Sequence, residues 1–260
     1  MRNLALSGMF LLLVSPGLRA GTVALADGET LKYRVSWGIL SHAGEISVTA
    51  RAEELAGLPQ LRVSTLTATT GVARKLYKFE ARGECLYDSA DGRLLAAITN
   101  SIARKKKSHA MAVFDYGAGT MDYRDYIRPE KSGTHAIPEG SVTDLITCLV
   151  QTRSWDMKTG DRRPATVMFD DDFYDLTIVA GGIEKVGTPW GEVDAMVLAP
   201  IMEKEPKGMF KRGGKVRVWI SQDKRRLPVK LEISIKVGTG TAHLTDYTPP
   251  AAAGLVSASK

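Results

Sequence analysis

The chain is 260 residues long, 44% hydrophobic and 25% charged, with a formal net charge of +6 at neutral pH. This is the composition of an ordinary globular protein with enough apolar side chains for a sizeable core, and it excludes a disordered or collagen-like chain. The basic excess is too mild to mark a nucleic-acid binder.

The first residues, MRNLALSGMFLLLVSPGLRAGTVALA, place Arg2 ahead of an apolar run from Leu4 to Val14, followed by Ser15-Pro16-Gly17 and small residues. The pattern predicts a secretory signal peptide over residues 1–26, its apolar run being too short to cross a membrane. Ala24 and Ala26 form an Ala-x-Ala cleavage site, and cleavage after Ala20 competes because it leaves a more ordinary spacing. No second apolar run approaches spanning length, so a soluble periplasmic chain with no transmembrane span is expected. No cysteine follows the run closely, which argues against a lipid anchor. Loss of residues 1–26 removes Arg2 and Arg19 and no acid, leaving 33 basic against 29 acidic residues and a net charge of +4. That charge permits attraction to anionic lipid, lipopolysaccharide or cell-wall polymer without singling one out.

Strands follow almost without interruption. Leu31, Tyr33, Val35, Trp37 and Ile39 alternate with polar residues or glycine, and Ile46, Val48 and Ala50 mark a second strand. Further strands are predicted over 60–69, 79–87, 93–103, 108–116 and 120–127, between turn signals such as Asp91-Gly92 and Gly117-Ala118-Gly119. A weak helical turn covers 72–77. The main helix is placed over 141–155, because Val142, Leu145, Ile146 and Leu149 form an amphipathic stripe, with Ser141 and Asp144 as a capping box. Strands resume over 164–170, 173–180, 183–188, 192–201, 215–221, 227–237 and 240–247. In 227–237 every odd position is apolar and every even one is Pro, Lys, Glu or Ser, so one face meets a core and the other meets water. Lys224-Arg225-Arg226, just before it, is read as a solvated turn. A single domain over 27–248 and a disordered tail over 249–260 complete the organisation.

So many short strands with one main helix cannot stay flat. The predicted fold is mainly β, a large curved antiparallel sheet or half-open β-barrel, with the amphipathic helix on its concave side. Residues 94–98 and 193–201 are apolar on both strand faces, so each must be covered twice. A hydrophobic groove between sheet and helix satisfies this, lined by Ala97, Ala195, Met196, Met202 and Trp219. Trp219 shares its face with Lys215 and Arg217, and lies either in that groove or under a loop; Trp37 reads as core.

Cys85 and Cys148 are the only cysteines. In an oxidising compartment they pair as a disulfide, or else serve as two separate buried thiols. No catalytic residue, cofactor or metal is predicted. His42, His109, His135 and His243 are dispersed, no nucleophile elbow occurs, and the glycines before Lys215 have the wrong spacing for a phosphate loop. Asp170-Asp171-Asp172 reads as a hairpin turn rather than a calcium site, and Arg104 to Lys107 as a solvated strand end or loop, or an anionic-lipid or lipopolysaccharide contact.

The segments DGETLKYRVSWGILSHAGEISV, GSVTDLITCLVQTRSW, IEKVGTPWGEVDAMVLAPIM and GMFKRGGKVRVWISQDKRRLPVKLEISIKVGTGTAHL resemble the exported bacterial family called domain of unknown function 3108. The resemblance implies a Gram-negative envelope protein with a β-rich fold, and brings no activity. More loosely, the architecture is similar to that of periplasmic lipoprotein carriers. Two functions remain open: a non-enzymatic binder of a lipid, acyl chain or lipoprotein segment on the concave side, or an interaction scaffold with a self-filled core that contacts another envelope protein.

Overall fold

The computed structural model describes residues 23–208, 210–236 and 238–251. Most of the expected signal peptide, and tail residues 252–260, lie outside them. The elements in chain order are β1 (Thr30–Trp37), β2 (Leu40–Leu55), β3 (Leu58–Thr69), α1 (Gly71–Leu76), β4 (Phe79–Asp88), β5 (Leu94–Ala103), β6 (Lys106–Asp115), β7 (Thr120–Asp125), β8 (Gly133–Ala136), β9 (Val142–Asp144), α2 (Leu145–Gln151), β10 (Arg162–Phe169), β11 (Asp172–Thr188), β12 (Gly191–Ile201), β13 (Lys215–Ser221), β14 (Pro228–Ile235) and β15 (Gly238–Thr248).

All fifteen strands belong to one sheet, ordered β8-β7-β6-β5-β4-β3-β2-β1-β15-β14-β13-β12-β11-β10-β9. Neighbours are antiparallel except β9 and β10, which are parallel. The chain's first and last strands pair at the middle of the sheet, while its two edges, β8 and β9, are consecutive in sequence. Laid flat at about 4.8 Å per step, fifteen strands would put these edges about 67 Å apart. Residues 137–141 join them, and six Cα steps reach at most about 23 Å. The sheet therefore curls into a half-barrel, mainly β as the alternation predicts.

The inner face carries Leu31 and Tyr33 of β1, Val48 and Ala50 of β2, Val63 of β3, Cys85 and Tyr87 of β4, Ala97 of β5 and Val218 of β13, all buried. The helix begins later than its apolar stripe predicts. Residues 142–144 extend as β9, Asp144 is the N-cap, and its side chain accepts from the Ile146 and Thr147 N–H groups. A strand and a helix share this stripe because Val142 is buried in either state, so periodicity alone misplaces the boundary by three residues. The short strands β8 and β9 add to the predicted set, and the two strands expected over 173–180 and 183–188 are one, β11 (Asp172–Thr188), whose register slips between Ala180 and Ile183.

The two doubly apolar runs have local explanations. In β5 the register slips, so Leu94 opposite Tyr87 and Ala97 opposite Cys85 both face inward, and Leu95 is the extra residue of a bulge. In β12, Met196 and Leu198 lie on the inner face with Ile220 and Val218, while Val197 lies on the outer face beside Trp219. Trp219 is buried there, not in a concave groove. Its Nε1 donates to Glu184 Oε2 at 2.8 Å, and Lys230 Nζ and Arg217 lie 3.9 and 5.0 Å from its ring.

Leu231 is 8% exposed on the inner face. Leu231→Asp is expected to abolish folding by placing an unpaired charge in the core, whereas Lys224→Ser at the exposed turn shifts stability by less than about 0.5 kcal/mol. Thermal melts followed by circular dichroism decide between this and a misassigned face, which would give the two variants similar midpoints.

Candidate functional site

The concave side divides into two halves. In the upper half, towards the chain termini, α2 and the residues after it form a plug bonded at both ends. At its start, Tyr87 donates to Asp144 Oδ2 at 2.8 Å and its hydroxyl also lies 2.8 Å from Thr143 Oγ1, linking β4 to β9 across the hollow. At its exit, Arg153 pairs with Glu29 at 2.7 Å, and Tyr247 donates to the same carboxylate at 3.0 Å. Arg226 donates to the Trp155 carbonyl at 3.0 Å and the Arg153 carbonyl at 3.4 Å. The basic triplet is thus not wholly a solvated turn: Lys224 is exposed, Arg225 pairs with Asp223 and stacks on Trp190 at 4.6 Å, and Arg226 latches the plug.

The chain start joins this assembly. Leu25 is buried, and Gln151 Oε1 accepts from the Ala24 N–H at 2.6 Å. Cys85 and Cys148 flank the same cap as free, buried thiols, so the expected disulfide is absent from the structure. Burial, reinforced by the Asp144 charge, pushes the Cys148 thiol up to about 12 and Cys85 well above its ordinary value. Buried in the core, both pack as small apolar side chains.

The lower half of the hollow, on the side of α1, is left open. Here the inner positions are Val35, Ile46, Thr65, Thr67, Gly83 and Ser101, each only half-buried, and Thr99, which is exposed. Across from them Ile233 and Ile235 are each 38% exposed. Trp37 lies flat against β15, where Gly240 makes room: a Cβ there would stand 2.7 Å from the indole ring. Gly83 likewise leaves space beside Thr65, whose Oγ1 would lie 2.7 Å from an added Cβ. The outcome is a wall that is apolar along β1 and β14 and hydroxyl-rich along β3 and β5. A cavity of about 360 Å³ lies on the outer face of the same strands, lined by Glu80, Arg82, Asn100, Ile102, Lys107 and His109, and another of about 530 Å³ lies beside β7 and β8.

The five residues expected to line a groove are not gathered in one place. Eight strand steps separate Ala97 on β5 from Ala195 and Met196 on β12. Ala97 and Met196 are buried on the inner face, Ala195 and Trp219 on the outer one, and Met202 is half-buried after β12, its sulfur 3.5 Å from the Lys207 N–H. None lines either cavity. The lower wall escaped the sequence reading because its Thr, Ser and Gly side chains interrupt the apolar alternation; a run of small residues at alternating positions was the available signal.

Among the described residues no group of three or more His, Cys, Asp and Glu could hold a metal. Asp170 to Asp172 form the β10–β11 turn, with Asp170 accepting from Tyr123 at 2.6 Å and Asp172 bonded to Lys207 at 2.8 Å. No described helix is long and apolar enough to cross a membrane.

A single curved, unclosed sheet plugged by a short helix defines a β-barrel-like protein. The chain belongs to the family "Protein of unknown function (DUF3108)", matched over residues 32–245. Its fold is shared with a β-barrel-like protein of domain of unknown function DUF1849 from Brucella abortus, at 11% identity and a TM-score of 0.56 over 88% of this chain and 100% of that one. Mycobacterium tuberculosis lipoprotein LppX aligns over 88% of this chain and 89% of its own, at 14% identity and a TM-score of 0.24, too low to carry an argument. No curated protein matches the chain.

Two measurements check this arrangement. Arg153→Met should cost about 3 kcal/mol in urea unfolding, because it strands the Glu29 carboxylate in the core, and adding Glu29→Gln should recover part of the loss. A thiol reagent should leave the native protein unlabelled and modify both cysteines once it is unfolded without reductant; a single mass lacking two hydrogens and no label would instead reveal a bridge.

Proposed function

We propose that this chain is a non-enzymatic protein of the bacterial envelope that takes a lipid, acyl chain or lipoprotein segment against the open lower half of its concave wall. The observation that carries the proposal is that the plug fills only the upper half, leaving Ile46, Ile233 and Ile235 partly exposed opposite a hydroxyl-bearing face. An amphiphile fits such a wall, with apolar surface on one side and hydrogen-bonding groups on the other. The titratable groups of the upper half, Asp144, Glu29, Tyr87 and the two thiols, are committed to holding the plug, which supports binding over catalysis. Residues 23–26 pack into the domain, which favours export with cleavage after Ala20 rather than Ala26, since the latter would remove Leu25 from the core. The self-filled upper half supports a second reading, an interaction scaffold with no small ligand.

A fluorescent fatty acid tests the first reading. Saturable binding displaced by phospholipid is expected, and Thr67→Trp, which fills the lower wall, should weaken it at least about tenfold with little change in melting temperature. Ala97→Leu should instead lower stability by about 1–3 kcal/mol, because its site is packed. Absence of saturable binding in the exported protein, together with recovery of a single cross-linked envelope protein, moves the assignment to the scaffold.

A further inference from the structure

The two ends of the half-barrel differ sharply in charge. The end bearing α1 comprises segments 37–43, 70–79, 103–107, 126–132, 169–172, 202–208, 210–214 and residues 235, 236 and 238, which carry fourteen basic and six acidic side chains. The opposite end, formed by 23–29, 55–58, 88–93, 115–120, 137–141, 155–161, 188–191, 221–227 and 248–251, carries five basic and nine acidic ones. Three of the six acids at the α1 end are committed: Asp170 to Tyr123, Asp172 to Lys207 and Glu203 to Arg162. Six of its lysines are not. Lys75, Lys78, Lys105, Lys106, Lys107 and Lys236 are exposed and take part in no ion pair among the described residues.

The same end exposes large apolar side chains at separate loop tips. Ile39, at the β1–β2 turn, is 100% exposed, and Leu76 on α1 is 69% exposed; Val72, Tyr126, Ile127 and Phe169 are also bare. Two contacts brace parts of this rim. The Arg104 N–H donates to the Lys78 carbonyl at 2.7 Å and its guanidinium stacks over Tyr77 at 4.9 Å, joining the β5–β6 turn to α1, while His109 packs on Tyr126 at 4.6 Å. The opposite end also bares Leu55 and Leu58, but without a basic excess.

We infer that the α1 end docks on a membrane surface of anionic phospholipid. Unpaired lysines supply the attraction to headgroups, and the apolar tips enter the interface between them. A protein partner would bury one contiguous patch, whereas these tips stand on four different loops with charged residues between, an arrangement that a fluid lipid surface accommodates and a rigid one does not. Docking would turn the open lower wall towards the bilayer. The inference rests on the rim alone and is independent of whether that wall holds a ligand.

Vesicle co-sedimentation of the purified exported protein, without residues 1–20, tests it. Binding to phosphatidylglycerol–phosphatidylethanolamine vesicles is expected, with none to phosphatidylcholine, and raised salt should weaken it. Lys105→Glu, Lys106→Glu and Lys107→Glu together should reduce binding at least about tenfold, while Lys32→Glu, Lys158→Glu and Lys224→Glu, matched in charge but placed elsewhere, should have little effect. An environment-sensitive fluorophore on Ile39→Cys should shift to the blue on these vesicles, and one on Leu58→Cys should not. Equal losses in the two triple variants, a blue shift at Leu58 and not Ile39, or binding to lipopolysaccharide micelles without binding to phospholipid vesicles would each overturn the inference.

Discussion

The constraint on which the rest of the structure depends is the short link between the two edges of the sheet. β8 and β9 lie at opposite ends of the strand order yet follow one another in the chain. Five intervening residues cannot reach across a flat sheet of fifteen strands, so the sheet must curl. Curling produces a concave face, and a concave apolar face must be covered. α2, which leaves β9 directly, is delivered into the hollow by the same connection.

Polar interactions, not apolar packing alone, fix where the plug sits. Apolar burial is non-directional, and the Leu149 stripe could slide against the alanines and valines of the wall at little cost. Asp144 removes that freedom, since one carboxylate both caps the helix and receives the Tyr87 hydroxyl from the far side. Glu29, buried with Arg153 and Tyr247, does the same at the exit. A buried pair of this kind is weak evidence for net stability, but it specifies register. The plug is therefore held high in the hollow, and its lower half is left to small and hydroxyl-bearing residues.

This division sets up the functional asymmetry. The upper end, which holds residues 23–29 and 248–251, is acidic and internally bonded. The lower end combines an open wall with a rim of free lysines and bare apolar tips. The open wall, the unpaired lysines and the exposed apolar tips are thus concentrated at one end.

The sequence by itself determined the β-rich class, the positions of most strands and the inward face of each, because a period of two is imposed on every strand that borders a core. Leu231, Val48 and Tyr33 face inward as their alternation requires. What the pattern could not settle were features in which distant segments meet. Residues 94–98 looked covered on both faces, but a bulge at Leu95, set by pairing with β4, turned two of them inward. Trp219 looked like groove lining, but its environment is made by Glu184, 35 residues away in sequence. Cys85 and Cys148 were as readable as a bridge as they were as thiols, and Arg226 was indistinguishable from its exposed neighbours until Trp155 came within reach of it. The lower wall was silent for the same reason: Thr65, Gly83 and Ser101 carry no local apolar signal, and only the curl of the sheet, together with the place where the plug stops, makes a surface of them.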